Sequence, residues 1–177
     1  RGLGDVYKRQ AFTFNLRLSN RKTKEMSEQI DHDENAVSIH VRRGDYLEPK
    51  YWKTTGCVCQ LPYYLNAIAE MNKRISQPSY YVFSDDIAWV KENLPLPKAF
   101  FIDWNKGAES WQDMMLMSRC RHHIICNSTF SWWGAWLNPR ENKTVIMPER
   151  WFRHCETPDI CPDKWIKVPI NQPDSIQ

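Results

Sequence analysis

Three stretches of this chain gather residue types that can do chemistry. The first is HVRRGDY, His40 to Tyr46. Period two puts His40 and Arg42 on one face of a strand and Arg43 on the other. Arginine offers a rigid fork of donors to a phosphate or carboxylate, and Gly44 lets the chain turn sharply behind it. Two readings weigh about evenly: an anion site built on Arg42, or an arginine–aspartate pair in which Asp45 merely holds Arg42 or Arg43. The second stretch is CNSTFSWWG, Cys126 to Gly134, between a strand pattern and a helix pattern. Asn127, Ser128, Thr129 and Ser131 place hydroxyl, amide and backbone donors at a helix start, where a phosphate can sit. Simple N-capping is the favoured alternative for that stretch. The third is Ser84-Asp85-Asp86, whose carboxylates either hold Mg²⁺ or Mn²⁺ or, the preferred reading, cap the helix that follows. Asp113 has a similar choice between capping and accepting N–H donors from a ligand.

These side chains need elements to position them, and the chain alternates accordingly. A helix is expected over Leu16–Ile30, with Leu16, Thr23, Met26 and Ile30 on one face. The strand Ala36–Arg42 follows, then a loop containing Pro49 and Gly56. Pro62 opens a helix whose stripe is Tyr64, Leu65, Ile68, Met71 and Ile75. Strand Ser79–Ser84, helix Asp86–Asn93 and strand Ala99–Asp103 come next. Ser110 and Asp113 have capping-box spacing ahead of an apolar run, so a helix is expected from there. Strand His123–Cys126, helix Trp132–Leu137 and strand Thr144–Pro148 close the series. The remainder, with Pro158, Pro162, Pro169 and Pro173, reads as an irregular tail that folds its tryptophans back onto the body. The fold class predicted is α/β: a Rossmann-like parallel sheet of about five strands with helices on both faces. Such sheets bind ligands outside the carboxyl ends of their strands. No GxGxxG follows any strand, which counts against NAD and FAD. Residues 36–177 are expected to form the domain and 1–35 a leader. Its opening RGLGDVYKRQ reads as an appended scar and is set aside from the fold.

Composition narrows the function classes. The chain has 177 residues, 42% of them hydrophobic and 25% charged, which is ordinary globular usage. The net charge of +3 is too mild to point to nucleic acid. No run approaches 18 apolar residues, so no membrane span is expected. Nine tryptophans, seven tyrosines and seven phenylalanines are a heavy aromatic load, serving cores or stacking surfaces. The six cysteines, at 57, 59, 120, 126, 155 and 161, do not have zinc-site spacing. Free or buried thiols are the expectation, with a Cys155–Cys161 disulfide open only in a secreted protein.

HVRRGDY, YYVFSDDIAWVKENL and QDMMLMSRCRHHIICNSTFSWWGAWLN together resemble, in order and spacing, the α-1,2-fucosyltransferases of glycosyltransferase family 11. The resemblance runs from about Ala36 to Trp165. It implies inverting, metal-independent transfer of L-fucose from GDP-fucose to the 2-hydroxyl of a galactoside, in a GT-B-like fold of which this chain is the donor-binding half. It also implies roles. Arg42 would hold the β-phosphate and act in catalysis, with Arg43 supporting the loop and His40 near the nucleotide. Asp113 would meet guanine or ribose, and Asn127, Ser128, Thr129 and Phe130 would wrap the diphosphate and base. Asp45 and Glu48 are the carboxylates near enough in sequence to act as base, and Asp45 is the candidate carried forward. The partners implied are GDP-fucose and a galactose-terminated glycan, with no nucleic acid. The location implied is bacterial-type cytoplasmic, compatible with peripheral membrane association. The rivals are a metal-dependent GT-A glycosyltransferase using Asp85 and Asp86, and a non-catalytic carbohydrate-binding module using exposed tryptophans.

Overall fold

The computed structural model describes residues 12–56, 58–155 and 158–171. Its strands are β1 (Ala36–Val41), β2 (Ser79–Ser84), β3 (Ala99–Ile102), β4 (His122–Ile124), β5 (Val145–Pro148) and β6 (Ile166–Val168). All pair in parallel, in the order β3-β2-β1-β4-β5-β6. The helices are α1 (Arg21–His32), α2 (Leu61–Arg74), α3 (Ile87–Asn93), α4 (Trp111–Arg119) and α5 (Thr129–Leu137). This is a Rossmann-like α/β sheet. The chain runs outward from β1 to β3 and then returns to the other side of β1 with β4. The switch point therefore lies between β1 and β4, where a crevice opens beyond the strand ends.

β1 is buried along its whole length, as a central parallel strand must be. Val37, Ile39 and Val41 face α2 and α3, packing among Tyr63, Tyr64, Ala67, Ile68, Met71 and Val90. On the opposite face Ala36 joins Tyr81, Phe83 and Ile102 against Ile30 of α1 and Leu116 and Met117 of α4. A third cluster gathers Ile125, Val145 and Met147 with Ala135 of α5 and with Trp151 and Trp165. The tail tryptophans thus pack back on the body as their composition suggested. The tail also contributes β6, a sixth strand that its prolines hid from the sequence reading.

Other boundaries moved for local reasons. The first helix begins at Arg21, because the side chain of Asn20 caps it there, and Leu16–Leu18 form only a single tight turn. Residues 45–56 coil into successive helical turns rather than an open loop. Ser110 does not cap α4 with its side chain. It is already helical, and a turn over Gly107–Glu109 leads straight into the helix. α5 begins at Thr129, three residues before the apolar run. No helix among the described residues is long and apolar enough to cross a membrane.

α5 crosses α4 at Gly134, where a Cβ would stand 2.9 Å from Met117 Cβ. Gly134→Ala is therefore expected to destabilise the fold by about 1–2 kcal/mol, overpacking outweighing the gain in helix propensity. Urea unfolding checks this, and an unchanged or raised midpoint would show that the two helices separate freely.

Candidate nucleotide-sugar site

A cleft of about 390 Å³ opens beyond the carboxyl ends of β1, β2 and β3, beside the switch point. β1 sends His40 and Arg42 into it, the end of β2 supplies Phe83, Ser84 and Asp85, and α5 contributes Phe130. The far wall comes from the β3–α4 connection and the first turn of α4, with Asp103, Asn105, Lys106 and Asp113. His40 and Arg42 share the cleft face, as period two requires, while Arg43 points away from it.

The turn after β1 is held by one carboxylate. Asp85 accepts the backbone N–H groups of Arg43 (2.8 Å) and Gly44 (3.1 Å), one on each oxygen. Gly44 is required there, because a Cβ would stand 2.8 Å from Asp85 Oδ2. Asp86 caps α3 through the Trp89 N–H (3.1 Å) and pairs with Arg43 Nε (3.2 Å). Arg43 also lies over the Trp89 ring, 4.0 Å from its centroid. Both carboxylates of the Ser-Asp-Asp stretch are thus committed to the fold. Among the described residues no group of three or more His, Cys, Asp or Glu could hold a metal ion.

Arg42 is where the two sequence readings meet. Its guanidinium makes a two-pronged pair with Asp45, Nε to Oδ1 at 2.8 Å and Nη2 to Oδ2 at 2.9 Å. Asp85 Oδ2 lies 3.5 Å from the same Nε. The arginine–aspartate pair is present, and Arg42 still lines the cleft. That pairing holds the Asp45 carboxyl below the usual carboxylate range.

His40 is buried with its ring 5.7 Å from that of Phe130 and its Nδ1 3.3 Å from Cys126 Sγ. Burial, with the neighbouring Arg42 charge adding to it, lowers its imidazolium to about 3. Asp113 accepts a hydrogen bond from Asn105 Nδ2 at 2.8 Å. Burial nevertheless pushes its carboxyl up to about 7, with the Asn105 bond pulling the other way. The Asn127 amide nitrogen ties the walls together, donating to the carbonyls of Thr55 and Trp151 at 3.0 Å each. Tyr46 donates its hydroxyl proton to the Asn127 carbonyl (3.0 Å), so the HVRRGDY turn and the CNSTF turn brace each other. Ser128 and Thr129 stand at the head of α5, which carries Phe130 into the cleft; neither lines it. Of the predicted site residues the cleft unites His40, Arg42, Asp113 and Phe130. Arg43 and Asn127 brace its walls.

Sequence reading missed the β3–α4 loop. Asp103, Asn105 and Lys106 line the cleft, and Gly107, at φ +59°, turns the chain into α4. The available signal was a polar Asp-Trp-Asn-Lys-Gly turn directly after a strand end. Cys59, Cys120, Cys126, Cys155 and Cys161 are free thiols, and Cys57 lies outside the described residues.

Comparison with known proteins agrees with the geometry. Residues 9–168 match the model of Glycosyl transferase family 11. The chain is 37% identical over 165 residues to an alpha-1,2-colitosyltransferase of Escherichia coli, covering 90% of this chain and 56% of that protein. It is 36% identical over 140 residues to the O-antigen biosynthesis glycosyltransferase WbnK of Escherichia coli, covering 78% and 46%. Galactoside alpha-(1,2)-fucosyltransferase 1 of Saimiri boliviensis boliviensis is 35% identical over 105 residues, covering 57% and 28%. The chain spans about half the length of the first two curated relatives.

Asp85 supports the turn through two charge-assisted hydrogen bonds, each worth about 1.5–3 kcal/mol where removing it leaves the donor unmet. Replacing Asp85 by Ala should raise amide exchange at Arg43 and Gly44 at least tenfold, with much smaller changes in β1. Protection at those two amides unchanged from wild type would show that the turn is held elsewhere.

Proposed function

The chain belongs to glycosyltransferase family 11, and on that premise we propose that it carries the donor site of a galactoside α-1,2-fucosyltransferase. The observation that carries the reading is the cleft itself, with an arginine fork at the end of β1 and a desolvated carboxylate on α4. A nucleoside diphosphate sugar has the matching pattern: anionic phosphates at one end and, in guanine, adjacent N–H donors at the other. Arg42 takes the β-phosphate, Asp113 the N1–H and 2-amino groups of guanine, and His40 and Phe130 the nucleoside between them.

In the reaction the acceptor's 2-hydroxyl oxygen attacks the anomeric carbon from the face opposite the nucleotide. The bond from that carbon to the β-phosphate oxygen breaks, and the electron pair leaves on GDP. The developing charge is met by the Arg42 guanidinium, whose Nε and Nη2 are held by Asp45 in the free protein. As Arg42 turns donors toward the phosphate, its hold on Asp45 loosens, and Asp45 becomes basic enough to take the hydroxyl proton. We propose that no metal takes part. Asp85 is engaged by two backbone N–H groups and Asp86 by a helix cap and Arg43, so both carboxylates already have structural partners.

The resemblance to a colitosyltransferase makes the donor sugar part of the test. Calorimetry with GDP, ADP and UDP, with and without EDTA, is expected to show metal-independent binding with GDP strongest. Equal affinities for the three nucleotides would overturn the guanine reading, and loss of binding in EDTA would favour the metal-dependent alternative. Transfer to lactose from GDP-fucose and from GDP-colitose then identifies the sugar.

Two further outcomes follow from the site. Arg42→Lys should weaken GDP binding roughly ten- to a hundredfold, since a point charge cannot reproduce the fork. Affinity within twofold of wild type would make Arg42 purely structural. The Asp113 carboxyl is raised above its unfolded value, so its charged form is the costly one in the free protein. Guanine N–H donors favour that charged form. GDP affinity should therefore fall as pH drops through about 7 and level off above it. The phosphate's own protonation near pH ~6 adds to the fall, so the measure is the difference from Asp113→Asn. Parallel pH profiles for the two proteins would remove Asp113 from the base contact.

A further inference from the structure

A chain of hydrogen bonds runs from the start of α1, in the segment before the first strand, into the wall of the cleft. Asn20 caps α1, its Oδ1 accepting the Thr23 backbone N–H at 2.9 Å. A backbone N–H can only donate, so this bond decides which end of the Asn20 amide is oxygen. The Asn20 Nδ2 then donates to Asn105 Oδ1 at 2.8 Å. The Thr23 hydroxyl also donates to that oxygen, at 3.2 Å, and accepts the Trp104 Nε1–H at 3.1 Å. With two donors on its oxygen, Asn105 is fixed as well, and its Nδ2 donates to Asp113 Oδ1 at 2.8 Å. Asn20 reaches α4 by a second route, its backbone N–H donating to Gln112 Oε1 at 2.9 Å, one residue before Asp113. Asn105 is 6% exposed and Thr23 fully buried, so the inner part of the relay is shielded, while Asn20 itself stands exposed at the helix start.

We propose that Asn20, acting through Asn105, is a positioning residue for nucleobase selection, keeping the Asp113 carboxylate turned and polarised as an acceptor for paired purine N–H donors. The inference rests on the reading of Asp113 as the guanine contact. Its physical content is directional. Were the Asn105 amide reversed, its carbonyl would face the Asp113 oxygen, and the two could share only a proton held by Asp113 itself. Asp113 would then present a neutral carboxyl with one acceptor fewer, and guanine would lose its advantage over adenine. A segment remote in sequence from every motif residue thereby sets the polarity of the base end of the cleft.

Asn20→Asp separates this role from helix capping. Aspartate caps about as well as asparagine, but it has no N–H to give Asn105, whose amide is then drawn to reverse. The preference for GDP over ADP, measured by calorimetry on the full chain, should fall about tenfold. ADP affinity and melting temperature should stay near wild type. Asn20→Ser, a neutral residue that also caps, should move the preference the same way and serves if the aspartate variant does not fold. Should wild type fail to prefer GDP at all, the guanine reading falls and takes this inference with it. If wild type prefers GDP and Asp113→Asn loses that preference while both Asn20 variants keep it, the reading stands and the relay is overturned. Equal weakening of GDP and ADP in the Asn20 variants would likewise overturn it, leaving Asn20 a helix cap alone.

Discussion

A central parallel strand carries polar side chains into a covered interior only at a cost, yet β1 holds His40 near its end and is followed at once by two arginines. The Asp85 carboxylate resolves this conflict by taking the N–H groups of Arg43 and Gly44 where the strand leaves the sheet. That clamp turns the chain at once, so that Val41 is the last residue of the buried strand and Arg42, just beyond it, joins His40 in the cleft. Arg43 is thrown to the other side, onto Asp86 and Trp89. Everything the cleft offers an anion depends on this turn. It fits the lack of a side chain at Gly44, and the pairing of Val41 with Ser84 brings Asp85, the residue after β2, beside the end of β1.

The clamp also recasts the carboxylate pair. Read as a motif, Asp85 and Asp86 offered a metal site or a helix cap, and the hydrogen bonds give each a separate structural task. Asp86 does cap α3, as preferred. Asp85 does something no local pattern could announce, because its partners lie about forty residues earlier and meet it only through the pairing of β1 with β2. An acidic pair after a strand carries two different meanings, and only the sheet order distinguishes them.

The fold was legible where hydrophobic period and length agree. β2 matched its predicted bounds, and β1, α2, α3 and β5 came within about a residue of theirs, since each keeps its apolar period and has a boundary residue such as Pro62, Asp86 or Pro148 at one end. β6 was not legible, because Ile166 to Val168 is three residues long with prolines on both sides. It becomes a strand only by pairing with β5. The α4 start was legible at Ser110, but not for the reason the spacing suggested: no side-chain cap forms, and the preceding turn over Gly107–Glu109 supplies the helical entry. In the site, His40 and Arg42 were visible because polar residues at a strand end conflict with burial. Asn105 and Lys106 were not, because polar residues in a loop conflict with nothing.

The two ends of the cleft respond differently to protons, and the cause is burial acting on opposite charge types. At the β1 end His40 is desolvated beside a permanent cation, so it remains neutral throughout the physiological range. The Arg42 guanidinium does not titrate in that range, so its charge, shared with Asp45, is fixed. At the far end the same desolvation acts on an acid, and Asp113 is brought to the edge of ionisation near neutrality. A carboxylate so poorly solvated gains more from two aligned N–H donors than one in water would, because it gives up less hydration to receive them. A fixed charge at one end and a proton-sensitive one at the other thus come from a single physical condition, burial that silences a histidine and leaves an aspartate in need of partners.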